Sequence, residues 1–227
     1  MPTRALAATV LVALALSWTG AGCSAWSADA KKAKHRERGL AYFQSQQYQE
    51  AVIEYKNVVQ LDPKDADAHY HLALSYLRLG GMTELQQAFV ELKQTVEIDP
   101  ANRDAQIKLG ELYLLSRDPK KARERAELVL ASAPQDAEGL MLRGRSLIGE
   151  EVYDEGIAAL TKAIELDPHN LRAYLDLSQA HLRTKNVPAA EAALKRALAI
   201  HPKALEAQLA LGDLRVLTGQ SEAAGPR

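Results

Sequence analysis

Proline falls at positions 63, 100, 134, 168 and 202, one interval of 37 residues followed by three of 34. A fixed period of this length constrains a chain strongly. Each period holds one supersecondary unit that cannot bury its apolar face alone and has to stack on its neighbours. Two residues after four of these prolines stands a helix-capping residue: Asp65, Asn102, Asp136 and Asn170. Such side chains accept a hydrogen bond from the unpaired amides of a first helical turn, whereas proline cannot continue a helix. Each proline therefore closes one helix and each Asp or Asn opens the next. The last copy carries Ala204 at the capping place and should cap less well. Two short helices fit within each period, so the repeats predict an all-α chain of about eleven paired helices.

Composition narrows the function. The 227 residues carry 28 Lys+Arg against 29 Asp+Glu, and this near-neutral balance argues against a nucleic-acid binder that lives on phosphate contacts. A single cysteine excludes an intramolecular disulfide and a cysteine-only zinc site. The abundance of alanine and the low aromatic content, 5%, suit closely packed helices rather than a bulky core.

In the first copy Gly39, Tyr42, Ala51, Tyr55 and Pro63 recur at offsets of 3, 9, 4 and 8 residues. The second copy has Leu72, Ala73, Tyr76 and Pro100, and the third Leu109, Gly110, Tyr113, Ala122, Ala126 and Pro134. The fourth has Gly144, Leu147, Gly156, Leu160, Ala163 and Pro168, and the fifth Tyr174, Leu177, Ser178, Ala190, Leu194, Ala197 and Pro202. Leu211 and Gly212 begin a sixth. This pattern resembles the tetratricopeptide repeat (TPR) over residues 32–224, about five and a half copies. The resemblance implies an α-solenoid, a right-handed superhelix with a concave groove. Small residues at Gly39, Ala73, Gly110, Gly144, Ser178 and Gly212 would let the two helices of one repeat approach, as would Ala51, Ala122 and Ala190 on the second helix. Tyr42, Tyr76 and Tyr113 would fill the wedge between repeats. Three extra residues around Leu79-Gly80-Gly81-Met82-Thr83 read as a surface-loop insertion or a contact loop at the groove edge. The short segment Gln220–Ala224, ended by residues 225–227, reads as the start of a partner helix, so either the last helix is exposed or the array is a truncated version of a longer one.

The first residues read as an address. Arg4 precedes a short apolar run to Trp18, too brief for a spanning helix, and small residues then lead to Cys23. Ala21-Gly22-Cys23 resembles the bacterial lipobox, with Gly20 where that motif prefers Leu, Val or Ile. The resemblance implies a signal peptide over 1–22, a lipid on Cys23 that holds the chain to the membrane, and a short tether over 23–31. Ser24 as the second mature residue leans toward the outer membrane. Cleavage after Ala25 or Ala28 without a lipid, or an uncleaved anchor, are the alternatives. The basic run Lys31 to Arg38 reads either as a solvated helix or, no more than about 28 Å from the lipid, as a face for anionic headgroups.

Motifs for chemistry are absent from the sequence. There is no HExxH, no paired-cysteine site and no phosphate loop, and Gly139, Gly144 and Gly149 lack the Lys-Ser/Thr of a P-loop. His69 and His71, two apart, do not share a helix face. No catalytic residue, metal, cofactor or small-molecule substrate is expected. The family instead places partner binding on the first helix of each repeat. Its offsets, transferred to this chain, give Arg36, Leu40 and Phe43; Tyr70, Leu74 and Leu77; Ile107 and Glu111; Met141 and Arg145; Leu175 and Gln179. The same offsets add Gln44, Asp67, Arg78, Asp104, Leu114, Leu115, Glu138, Ile148, Arg172, Leu182 and Arg183. A face of this kind, apolar with interspersed charge, suits an extended peptide or an amphipathic helix, although its Leu and Ile positions could equally be packing residues. The carboxylate clamp of chaperone-binding relatives needs Lys and Asn where Arg36 and Leu40 stand, so it is not supported there. Lys56-Asn57 within an alanine-rich array resembles, more narrowly, the repeat lipoproteins of exopolysaccharide and exosortase systems. The expected function is a non-catalytic scaffold on the periplasmic side of the envelope, assisting assembly, secretion or export. The alternative is a soluble periplasmic chaperone or adaptor. An enzyme would need a domain beyond residue 227.

Overall fold

The computed structural model describes the backbone of residues 20–219 and the side chains of 27–219. The leader run, the Cys23 side chain and the segment Gln220–Arg227 lie outside those residues. The described chain is helical throughout and divides into two compact units at Ile98/Asp99. The first unit holds α1 (Gly20–Gln44), α2 (Tyr48–Leu61), α3 (Ala66–Leu79) and α4 (Met82–Ile98). The second holds α5 (Arg103–Leu115), α6 (Pro119–Ser132), α7 (Ala137–Gly149), α8 (Tyr153–Leu166), α9 (Leu171–Arg183), α10 (Val187–Ile200) and α11 (Leu205–Leu217). The eleven described helices are those the proline period predicts. Because α1 begins at Gly20, residues 24–31 are helical and cover about 12 Å rather than an extended 28 Å.

The helix starts follow the sequence. Asp65, Asn102, Asp136 and Asn170 accept from the amides of Ala68, Ala105, Gly139 and Ala173 at 2.8–3.2 Å. Ala204 opens α11 without a side-chain cap. Two further caps, Asp118 on α6 and Asn186 on α10, open second helices. A second local device also recurs. Six residues past its proline, Gln106 donates to the Pro100 carbonyl at 2.9 Å and Gln208 to that of Pro202 at 2.8 Å. His69 does the same toward Pro63 while its Nδ1 lies 2.6 Å from Glu91. His69 is thus a buried structural residue.

Four of the hairpins turn through three residues whose middle member has a positive φ: Gln46 (61°), Arg117 (59°), Glu151 (64°) and Lys185 (58°). The next residue donates back into the first helix, as Asn186 does to the His181 carbonyl at 2.8 Å. Glycine stands at this place in the last copy, Gly219, and in the second, Gly80. The second repeat departs from the expected loop insertion. Its turn is only Gly80-Gly81, both left-handed, and the extra residues lengthen α4 to 17 residues against 14 in α2. One added turn at the start of α4 absorbs them, since a helical turn satisfies its own backbone and a loop does not.

Close packing explains most of the small residues. A Cβ on Gly39 would meet the Tyr55 ring at 3.1 Å. One on Gly144 would lie 2.7 Å from Leu160 and 3.0 Å from the Gly156 carbonyl, so α7 and α8 touch backbone to backbone. Gly110 differs from the expectation. A Cβ there would press first on Leu142 of the next repeat rather than on the second helix of its own repeat. A Cβ on Gly212 would meet nothing within 4 Å among the described residues. Ala51, Ala88, Ala122 and Ala190 are fully buried. The deepest large side chains are Tyr55 and Tyr174; Tyr76 is also buried, while Tyr42 and Tyr113 are only half-buried.

Candidate functional site

In the first unit most charges of the basic run are spent internally. Lys32 donates to Asp62 at 2.8 Å, and Arg36 pairs with Asp65, the cap of α3. Glu54, buried on α2, accepts from Arg38 and lies 2.6 Å from His35 Nδ1. Burial of a carboxylate is tolerated because both oxygens are engaged. Lys31 and Lys34 stay exposed without a partner among the described residues, so the run is not a plain solvated face. Of the expected partner-binding residues here, Arg36 is held by the cap, Leu40 is exposed, and Leu74 and Leu77 are half-buried. Phe43 meets Tyr48 edge-on at 5.4 Å, and Tyr70 meets His71 at 5.7 Å.

The second unit uses one arginine in the same way. Arg103 binds Asp136, the cap of α7, through Nε at 2.6 Å and Nη2 at 2.8 Å. Burial opposes ionisation of Asp136, but this guanidinium and the Gly139 amide outweigh it and hold the carboxyl below its ordinary 3.8.

Elsewhere in this unit α7 and α9 frame an open concavity of about 320 Å³. Its apolar lining includes Leu114 of α5, Ile148 of α7 and the fully buried Leu160 of α8. Arg145 projects from α7, and Arg172, Asp176, Gln179 and Arg183 from α9; Glu151 and Tyr153 complete the rim. Asp176 Oδ1 accepts from Arg172 Nε at 3.2 Å, while Oδ2 is buried, lacks a hydrogen bond, and lies 3.5 Å from Arg145 Nε. Burial pushes the Asp176 carboxyl above its ordinary 3.8, against the opposing pull of Arg145 and Arg172.

The structure sorts the remaining expected residues. Arg145 and Gln179 meet at this concavity, joined by the related positions Leu114, Ile148, Arg172 and Arg183. Ile107 and Met141, 4% and 9% exposed, are core residues instead, packed in separate clusters, and offer no surface to a partner. Leu175 packs half-buried against the core, and Glu111 pairs with Lys108 at 2.9 Å. Asp176, Glu151 and Tyr153 were not foreseen. The available signal for Asp176 was its place one turn after Arg172, on the same face.

A family profile described as "TPR repeat" matches residues 39–80, and one described as "Tetratricopeptide repeat" matches residues 81–145 and 147–207. Together they span well over half the sequence. The chain belongs to the tetratricopeptide repeat family. No curated protein matches it. Among solved structures it is similar to MamA from Desulfovibrio magneticus RS-1, at 22% identity and a TM-score of 0.68, covering 77% of this chain and 97% of that one. It is also similar to YrrB, described as a TPR protein with an unusual peptide-binding site, at 19% identity and TM-score 0.66, covering 84% and 97%. For Pseudomonas aeruginosa pilF the values are 16%, 0.67, 87% and 89%. At these identities the likeness establishes the helical repeat fold. TPR arrays generally mediate protein–protein interactions.

Proposed function

We propose that this TPR chain is a non-catalytic scaffold of the bacterial envelope, facing the periplasm and held to the membrane by a lipid on Cys23. There it holds a protein segment against the first-helix faces of its repeats. The carrying observation is the concavity of the second unit, where groove positions of α5, α7 and α9 meet. A peptide-binding site in a relative of the same fold, YrrB, is consistent with that use. Anchoring rests on Ala21-Gly22-Cys23 after a short apolar run, and no described helix is long and apolar enough to cross a membrane. Two or more acyl chains give stable attachment where one is marginal. Assembly, secretion or exopolysaccharide export are the processes such a scaffold would serve.

Metabolic labelling with a palmitate analogue tests the anchor. The wild type should take label and fractionate with membranes, and Cys23→Ala should yield an unlabelled precursor or a soluble product. Gly20 favours a second reading, a soluble periplasmic adaptor, which an unlabelled and soluble wild type would establish.

A further inference from the structure

We infer that the α7/α9 concavity receives a partner segment in which a carboxylate side chain lies beside an apolar one. Arg145, Arg172 and Arg183 take the carboxylate, and Leu114 and Ile148 take the apolar side chain. The inference deepens the proposed protein-binding role and rests on it.

Three guanidinium groups here face two carboxylates, Asp176 and Glu151, in a chain whose net charge is −1. Their availability matters more than their number. Arg103 and Arg123, elsewhere in the same unit, are each tied to a carboxylate through two nitrogens, to Asp136 and Glu150. In the concavity, Asp176 is met by Arg172 and Arg145 through Nε, at 3.2 and 3.5 Å. Their terminal nitrogens make no hydrogen bond among the described residues, and Arg183 has neither hydrogen bond nor ion pair there. Asp176 thereby offsets part of the mutual repulsion of the cluster while leaving its outer donors open. A guanidinium edge offers two parallel N–H groups that match a carboxylate. The apolar lining lowers the local dielectric and strengthens that pairing, and it gives an adjacent Leu or Ile side chain a place to be buried. An opening of about 320 Å³ accommodates a few side chains and not a folded surface.

Fluorescence anisotropy with the purified full chain tests this, using fluorescein-labelled decapeptides that alternate Leu with Glu, Gln or Lys. The Glu peptide should bind about tenfold more tightly than the Gln peptide, and the Lys peptide should not bind. Arg145→Glu and Arg183→Glu should each remove most of that preference without lowering the Gln-peptide affinity, and Arg183→Lys should retain part of it. Arg183 is exposed and unpaired, so its reversal stays informative even if Arg145→Glu lowers the melting temperature. Equal affinity for the Glu and Gln peptides, or an undiminished preference in Arg183→Glu, overturns the inference while leaving a peptide-binding face intact. Binding of no peptide overturns it too, and the Cys23 label then reports separately on the envelope role. Preferential binding of inorganic phosphate, or of phosphatidylglycerol vesicles, with the same arginine dependence would also overturn it and assign the cluster to another anion.

Discussion

Two carboxylates, one in each unit, are surrounded by basic side chains with opposite results. Glu54 in the first unit has both oxygens engaged, by Arg38 and His35. Asp176 in the second has one oxygen bonded to Arg172 and the other buried without a hydrogen bond. The first arrangement closes on itself and serves packing. The second is incomplete, and the cations around it keep open donors. Charge on a repeat face is therefore available to a partner only where the neighbouring helices do not already supply a satisfying counter-charge.

The largest expected difference lies in removing the two carboxylates. Glu54→Ala should cost about 3 kcal/mol in urea denaturation, because it strands two basic groups beside a buried site, with some relief as Arg38 turns to water. Asp176→Asn should stay within about 1 kcal/mol of the wild type near neutral pH, on the stabilising side, since burial already disfavours the charge. The pH sign follows from its raised folded value. The wild-type carboxylate is a cost at neutral pH that fades as pH falls through the folded pKa and is gone below about 3.8, so the advantage of the Asn variant should disappear there. A loss in Asp176→Asn as large as that in Glu54→Ala would break the comparison and make Asp176 a structural counter-ion.

A smaller effect separates two glycines at equivalent repeat positions within the second unit. Gly144→Ala should destabilise by about 2 kcal/mol, since its Cβ would press on the Gly156 carbonyl and Leu160. Gly212→Ala should stabilise by about 0.5–1 kcal/mol, gaining helix propensity where no described residue would meet the new Cβ. Thermal melts of the two variants moving in the same direction would show that α11 is covered as α7 is. The smallest effect concerns the turns. Lys185→Gly relieves a left-handed backbone and should stabilise by about 0.5 kcal/mol, after the entropy glycine adds to the unfolded chain is subtracted. No gain in urea titration would mean that local hydrogen bonds offset the strain.

What the sequence alone determined is local or periodic. The proline spacing set the helix count. Asp65, Asn102, Asp136 and Asn170 marked helix starts, and the missing cap at Ala204 was foreseeable, because a cap spans three residues of one chain segment. The groove offsets found Arg145 and Gln179, but they also selected Ile107 and Met141, which the tertiary structure buried. Whether an inward leucine-like residue is core or surface depends on how closely the next repeat seats, and the offset carries no such information. The three extra residues of the second repeat could likewise extend a loop or a helix, and packing of the long α4 settled that. Above all, tertiary structure decided which cations are free. Arg38 and Arg103 find their carboxylates 16 and 33 residues away, across helices, while Arg183 finds none among the described residues. Electrostatic pairing acts through space over a few ångströms, so it becomes legible only once the helices have been laid side by side.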